Sequence, residues 1–469
     1  MSTNGFEAPG GVAAPPAPVE TSEDSLRTKA IRGSVWTFAA LGAQKVIAFG
    51  NSVVLRWILA PEVFGIMALV YAVQRGLAMF SDFGVQPAVV QSARGDDRRL
   101  LDTAWSLQIV RGAILAVVTA LAAWPVAQFY QEKLLVYDKS LLVWLMLGMS
   151  AVPLVDGFTS TSVISLQRHL EIKQLRLFEL ATTVVGVIVS IAMALATRSI
   201  WALVVGAVVS SFSKVAFSFF AFRNARNRFA WDESAVRELV HFGKWIFLAT
   251  AVGFVSTNAD TFYLPKVIDL TTLGVYTTAA GVAVPLLDLV TSQTHGVLYP
   301  AFCKVARESP ERLRSVYYRV RLRVDALTLP AVGALFVVSD WFIQLFYKAE
   351  YAEAGWMLRL LCIRTAMSIV LTPCETCLFS LGLTRFGLWR NVGRFVWIAV
   401  GLPLGFWLDG IHGIVWAVAL SEIPVLLILW PAFHRQGLLD LRRELLAALF
   451  FVAGALAGQL WLLLVGAIA

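Results

Sequence analysis

The chain has 469 residues, 58% of them hydrophobic and only 15% charged, with a formal net charge of +8. Soluble domains carry about 25% charged residues and 45–50% apolar ones, so a water-soluble globular fold is excluded and a membrane protein is expected. The cations are then expected in loops flanking the membrane, and no nucleic-acid partner is implied.

Residues 1–26 contain "PGGVAAPPAPVETSED", rich in Pro, Ala and Gly. Such a composition predicts a disordered tail, and it lacks the basic start and apolar core of a signal peptide. Beyond it, windowed hydrophobicity predicts about thirteen transmembrane helices, each of roughly the 20 residues needed to cross a bilayer. They fall near 33–55, 63–83, 103–124, 139–161, 174–197, 199–221, 242–264, 275–300, 320–346, 355–381, 386–408, 411–433 and 444–467. The fifth and sixth are separated only by a short "TRS" around Arg198. Apolar residues run continuously rather than alternating, which excludes barrel strands. The predicted class is an all-α polytopic membrane protein.

Loop cations give the orientation. With the N-terminus in the cytoplasm, 26 Lys and Arg fall in cytoplasmic connections and 7 on the opposite side. That asymmetry fits the positive-inside rule and sends the C-terminus to the far side.

One stretch is written twice. "LRWILAPEVFGIMA" at 55–68 matches "LPKVIDLTTLGVYT" at 264–277, with Gly65 opposite Gly274. Further out, "RGSVWTF" faces "HFGKWIF", and Pro87 faces Pro300. The reading is two parallel six-helix repeats around a central cavity, an arrangement suited to alternating access. The expected parts are a cytoplasmic tail (1–26), a first bundle (27–221), a basic amphipathic linker on the cytoplasmic surface (222–241), a second bundle (242–433), and a cytoplasmic loop with an additional C-terminal helix (434–469).

An Arg or Lys at the centre of a membrane helix costs about 2.5–3.5 kcal/mol on insertion scales, so it marks a cavity or a partner. The candidates facing a cavity are Lys45, Arg75, Arg111 and Arg364, with Gln44, Asn51, Gln108, Lys214 and Lys244 as accompanying polar groups. Residues three and four apart share a helix face. Tyr71, Arg75 and Asp82 therefore form one stripe, and Arg364, Ser368, Thr372 and Glu375 another. A net basic cavity suits an anionic head group, because Arg offers a bidentate fork and Lys a point charge. Two plainer pairings remain open, Arg75 with Asp82 and Arg364 with Glu375. Asp260, Asp288 and Glu375 are candidates for ion coupling.

The "CETC" at 374–377 sits in a predicted membrane helix without a second Cys pair, so it reads as small buried thiols rather than a zinc site. No metal or cofactor is expected. No P-loop motif occurs, so the chain is not expected to use ATP itself. All loops are short, which weighs against a membrane glycosyltransferase or polymerase.

"RGSVW", "ILAPEVFGIMA", "FSDFGVQPAVVQ" and "NADTFYLPKVIDLTTLGVYTTA" resemble the polysaccharide-transporter family of Wzx-type oligosaccharide flippases. These belong to the multidrug/oligosaccharidyl-lipid/polysaccharide exporter superfamily. The resemblance covers nearly the whole chain after residue 27. It implies a non-enzymatic, ion-gradient-driven flippase, acting as a monomer on undecaprenyl-diphosphate-linked oligosaccharide units for surface polysaccharide. Polysaccharide polymerases or export machinery are implied partners. A multidrug exporter, a lipid II flippase and a polymerase are the alternatives. The commonest count in this branch is fourteen spans, one more than is read here.

Overall fold

The computed structural model of the chain describes residues 23–80, 85–92, 94–130, 139–169, 171–220, 227–233, 236, 260–294 and 298–468. The first half holds α1 (Glu23–Ile58), α2 (Pro61–Phe80), α3 (Val85–Gln91), α4 (Arg98–Phe129), α5 (Lys139–Asp156), α6 (Ser162–Arg168), α7 (Ile172–Thr197) and α8 (Trp201–Phe220). The second half opens with helical residues 260–267. It continues as α9 (Leu270–Gln293), α10 (Tyr299–Glu308), α11 (Leu313–Phe346), α12 (Ala354–Ser380), α13 (Arg385–Ala419), α14 (Ile423–Arg435) and α15 (Leu441–Ile468). Among the described residues there is no strand, and nine helices are long and apolar enough to cross a membrane. The span expected at 242–264 lies largely outside the described residues.

The expected boundaries shift where turns intervene. The span read as 275–300 is α9 followed by the separate α10, with Pro300 in its first turn, where its missing N–H leaves no helix bond unmade. Pro87, its partner in the repeat, lies in the short α3, so both halves follow their second span with a short helix. The "TRS" connection separates two helices, because Arg198 adopts a left-handed φ of 46° between α7 and α8. α13 reverses direction at Asp409–Gly410, and a further break at 420–422 precedes α14.

Lipid tails are as apolar as leucine, so helices in a bilayer associate through close packing at small residues. The repeated stretch supplies that packing at the centre of the molecule, where α2 crosses α9. A Cβ at Gly65 would overlap the carbonyl of Leu270, and one at Gly274 would overlap the carbonyl of Pro61. Leu270 is the repeat mate of Pro61, and Gly274 of Gly65. Thr271 Oγ1 donates to Glu62 Oε1 at 2.8 Å, and these two are also mates, 209 residues apart. Residue i meets mate j, and j meets i, as at a two-fold interface. Around the crossing, Leu59, Ile66, Met67 and Val70 pack with Leu264, Leu273, Val275 and Tyr351 in one buried core that spans both halves.

The helix α15 packs along α11. Gly333 lies against the backbone at Phe451, and Gly454 against that at Pro330. Below this crossing sits a buried charge cluster. Arg321 Nε donates to Asp325 at 3.1 Å, its Nη1 donates to Glu444, and Tyr318 Oη donates to Glu444 at 2.9 Å. The side chains of Arg321, Asp325 and Glu444 are 1%, 0% and 4% exposed. Removing one partner of such a pair leaves a buried charge uncompensated, at a cost of about 3–5 kcal/mol. Glu444→Ala is therefore expected to lower the unfolding temperature markedly in detergent, with Glu444→Gln intermediate, as read by differential scanning fluorimetry.

Several cations of the arginine-rich end are structural. Arg168 Nη1 donates to the carbonyls of Val90 (2.9 Å) and Ser92 (2.7 Å) at the end of α3, and its Nε to Asp96 (3.0 Å). Asp97 caps α4 by accepting from the Arg99 N–H. A hydrogen bond from Arg94, with that N–H, holds the Asp97 carboxyl below the usual carboxylate range. The linker is described over only a few residues. Residues 227–232 are not helical. Asn227 bonds Ser160 (2.6 Å) and Thr161 (2.5 Å), while the N–H groups of Arg228 and Ala230 donate to Asp102 and Ser106, both at 3.1 Å. Buried acceptors on α4 compete with helix formation by satisfying the strap's backbone donors.

Candidate functional site

Among the described residues, hydrogen bonds between the halves gather at one end. Arg56 Nε donates to Thr278 at 2.7 Å, Trp57 Nε1 to the Phe346 carbonyl at 2.7 Å, and Tyr130 Oη to the Phe262 carbonyl at 2.9 Å. This end carries the few cations of the sparse side. At the arginine-rich end, no hydrogen bond joins the two halves among the described residues.

Between these ends, Lys45 Nζ of α1 meets Asp288 Oδ2 of α9 at 2.6 Å, with the two side chains 32% and 52% exposed. The fold thus unites a residue expected to hold an anion with one expected to couple an ion. Solvent screening limits a half-exposed pair to about 0–1 kcal/mol. It is a weak tie that a competing anion can displace.

A cavity of about 750 Å³ lies beside α2, α4 and α5, lined by Tyr71, Gln74, Arg75, Thr119 and Asp156, with Thr261 contributed by the second half. Arg75 is exposed on α2, and none of the ion pairs among the described residues uses it. Its suggested partner Asp82 lies outside the described residues. Asp156 is held by Lys214 at 3.4 Å and by Ser211 Oγ at 2.9 Å. Arg111 Nη2 donates to the Ala78 carbonyl at 3.0 Å, and Ala78 also lines the cavity. Arg75 lines this space, and Arg111 of α4 reaches α2 at a residue that lines it.

Other predicted residues go elsewhere. Gln44 donates to Thr183 on α7 at 3.3 Å, inside the first bundle. Asn51 Oδ1 and Gln108 Oε1 are buried without a hydrogen-bond partner, and neither residue is among those lining the cavity. Lys244 lies outside the described residues.

In the second half the suggested pairing of Arg364 with Glu375 is replaced. Arg364 faces Asp260 at 3.9 Å, and Tyr276 Oη donates to Asp260 at 3.1 Å. Glu375 is instead bonded by Arg390. Glu375 is 11 positions from Arg364 along α12, while α13 passes alongside α12 and brings Arg390 to it. Arg394 binds Glu422 at 2.5 Å, with Ser368 Oγ donating to the same oxygen at 2.8 Å. Asp156, Gln74, Arg394 and Glu422 were not singled out as site residues from sequence. Their only signal is a polar residue inside an apolar run, and the partner lies on another helix. Among the described residues, the basic character expected of the interior is thus largely neutralised, while Arg75 stays exposed beside the cavity.

The chain was then compared with known proteins. The model of the family described as "Polysaccharide biosynthesis protein" matches residues 54–355. The lipopolysaccharide biosynthesis protein WzxC of Escherichia coli K12 is 24% identical over 437 residues, covering 89% of this chain and 85% of that protein. The succinoglycan biosynthesis transport protein ExoT of Rhizobium meliloti is 22% identical, covering 84% of this chain and 80% of that protein. Among solved structures, the inward closed conformation of the lipid II flippase MurJ superposes with a TM-score of 0.68 at 11% identity, over 93% of each chain. An inward-facing multidrug resistance MATE transporter gives 0.63 at 14% identity, over 84% of this chain and 94% of that one. The structural likenesses show a shared fold, and the family match covers well over half of the chain. The chain therefore belongs to the family described as polysaccharide biosynthesis protein.

Proposed function

We propose that the chain moves undecaprenyl-diphosphate-linked oligosaccharide units across the inner membrane for surface polysaccharide synthesis. It does so by alternating access between two parallel six-helix repeats, with the N-terminus in the cytoplasm and without enzymatic turnover. The observation that carries this reading is the pair of cationic features between the halves. Arg75 is an exposed guanidinium in a roomy cavity, and Lys45 is a weakly held ammonium bridging the halves. A diphosphate is the class of ligand that takes both, a fork from Arg and a point charge from Lys. The names of WzxC and ExoT support the substrate class. A cationic drug would meet Arg75 here, and the Asp156 carboxylate is already engaged by Lys214.

The steps follow from exchange of partners. The headgroup enters from the arginine-rich end, binds Arg75 and Arg111, and draws Lys45 off Asp288. The cross-half tie is lost, so the ligand favours the state in which the halves part, which is differential binding of two conformations. Asp288, freed of its counter-charge, takes up the coupling ion. Asp260 and Glu375 serve less well, since Arg364 and Arg390 already face them.

The triple variant Lys45→Ala, Arg75→Ala, Arg111→Ala is expected to lower surface polysaccharide at least about tenfold at normal protein level. That corresponds to about 1.4 kcal/mol of lost ligand interaction. Quantitative polysaccharide staining beside an immunoblot checks it. Wild-type polysaccharide from this variant would remove the proposed headgroup site.

A further inference from the structure

A second cavity, of about 550 Å³, lies on the flank of the second half and is lined by α11, α12, α14 and α15. Leu329, Val370, Trp430, Leu445, Ala448 and Val452 typify its wall. Its one ionisable lining residue is Glu444, which Arg321 and Tyr318 hold. The groove is therefore apolar along its length. It exists because α15 is an additional helix: it packs on α11 and stands off from α14.

The two helices bordering the opening meet at the arginine-rich end. α14 finishes at His434 and Arg435, and α15 begins Leu441, Arg442, Arg443. Arg435 and Arg442 are exposed. Arg443 is paired with Asp440 at 3.5 Å, whereas neither Arg435 nor Arg442 has an ion-pair partner among the described residues. An apolar slot bordered by two helices that each carry an exposed guanidinium at that end is complementary to an amphiphile with an anionic head.

We infer that this groove holds a resident anionic phospholipid, with an acyl chain between α14 and α15 and the headgroup phosphate on Arg435 and Arg442. The occupant is a resident lipid rather than the transported one because no first-half residue lines the groove. Rocking of the halves leaves its walls unchanged, so it offers no alternating exposure. In addition, α12 separates it from α9, which carries Asp288. The lipid completes the packing of α15 and stabilises the second half.

The test uses the full chain, purified and delipidated in detergent. Phosphatidylglycerol is expected to raise the unfolding temperature by about 5 °C at saturation, and phosphatidylcholine of the same chains by less than half of that. The double variant Arg435→Glu, Arg442→Glu is expected to keep the lipid-free unfolding temperature and lose the phosphatidylglycerol shift. Ala448→Phe, which fills the slot, is expected to remove the lipid adduct in native mass spectrometry. Equal shifts from the two lipids, or an undiminished shift in the double variant, would overturn the site. Undecaprenyl phosphate outcompeting phosphatidylglycerol, with the same variants blocking it, would overturn the resident-lipid assignment in favour of the transported lipid.

Discussion

Gly274→Leu is expected to abolish export while the protein is still inserted in the membrane. At this position the Pro61 carbonyl occupies the place of a side chain. Even a single extra group in a close-packed site costs about 1–3 kcal/mol, and this neighbour is helix backbone that moves only with its helix. Gly65→Leu is expected to do the same, since Leu270 stands against it in the mirrored position. The two lesions strike one crossing. The double variant is therefore expected to be no worse than either single one, the non-additivity of residues sharing a contact. Surface polysaccharide and protein level report the loss. Cysteine labelling at Trp57→Cys, whose indole now reaches the Phe346 carbonyl, is expected to rise in both variants as that end fails to close. Normal export from either variant, or unchanged labelling, would show that the α2–α9 crossing does not close the transporter.

The second large effect concerns Lys45 and Asp288. Lys45→Asp and Asp288→Lys each place like charges about 3 Å apart, turning the screened attraction into a screened repulsion of about 1 kcal/mol between the two halves. Each single variant is expected to lose export. The swap, Lys45→Asp with Asp288→Lys, restores the attraction and is expected to recover the unfolding temperature and the closed state. It is not expected to recover export, because the cation then sits on α9 rather than beside the Arg75 cavity. Full recovery of polysaccharide in the swap would make the pair a latch and nothing more.

Most of the helices were legible in the sequence because a membrane span leaves a long apolar run with cations at its ends. The paired small residues Gly65 and Gly274 were legible too, since the crossing of α2 and α9 demands close packing there. Partnerships were not. Lys45 meets Asp288 across 243 residues, and no local pattern encodes that register. The i, i+4 spacing of Arg321 and Asp325 was readable, yet the span read as 320–346 put Arg321 at its very edge. The helix begins at Leu313, a full two turns earlier, which carries Arg321 into the protein where Glu444 meets it. The ion pairs of Lys45 and Arg364 were not legible, since each carboxylate arrives on a different helix from its cation.

The most direct measurement is mass analysis of lipid-linked oligosaccharides from cells lacking this gene, with and without the gene restored. The expected result is accumulation of complete undecaprenyl-diphosphate repeat units on the cytoplasmic face, loss of surface polysaccharide, and reversal of both on complementation. Intact surface polysaccharide with no accumulated lipid-linked unit would contradict export of such a substrate by this chain.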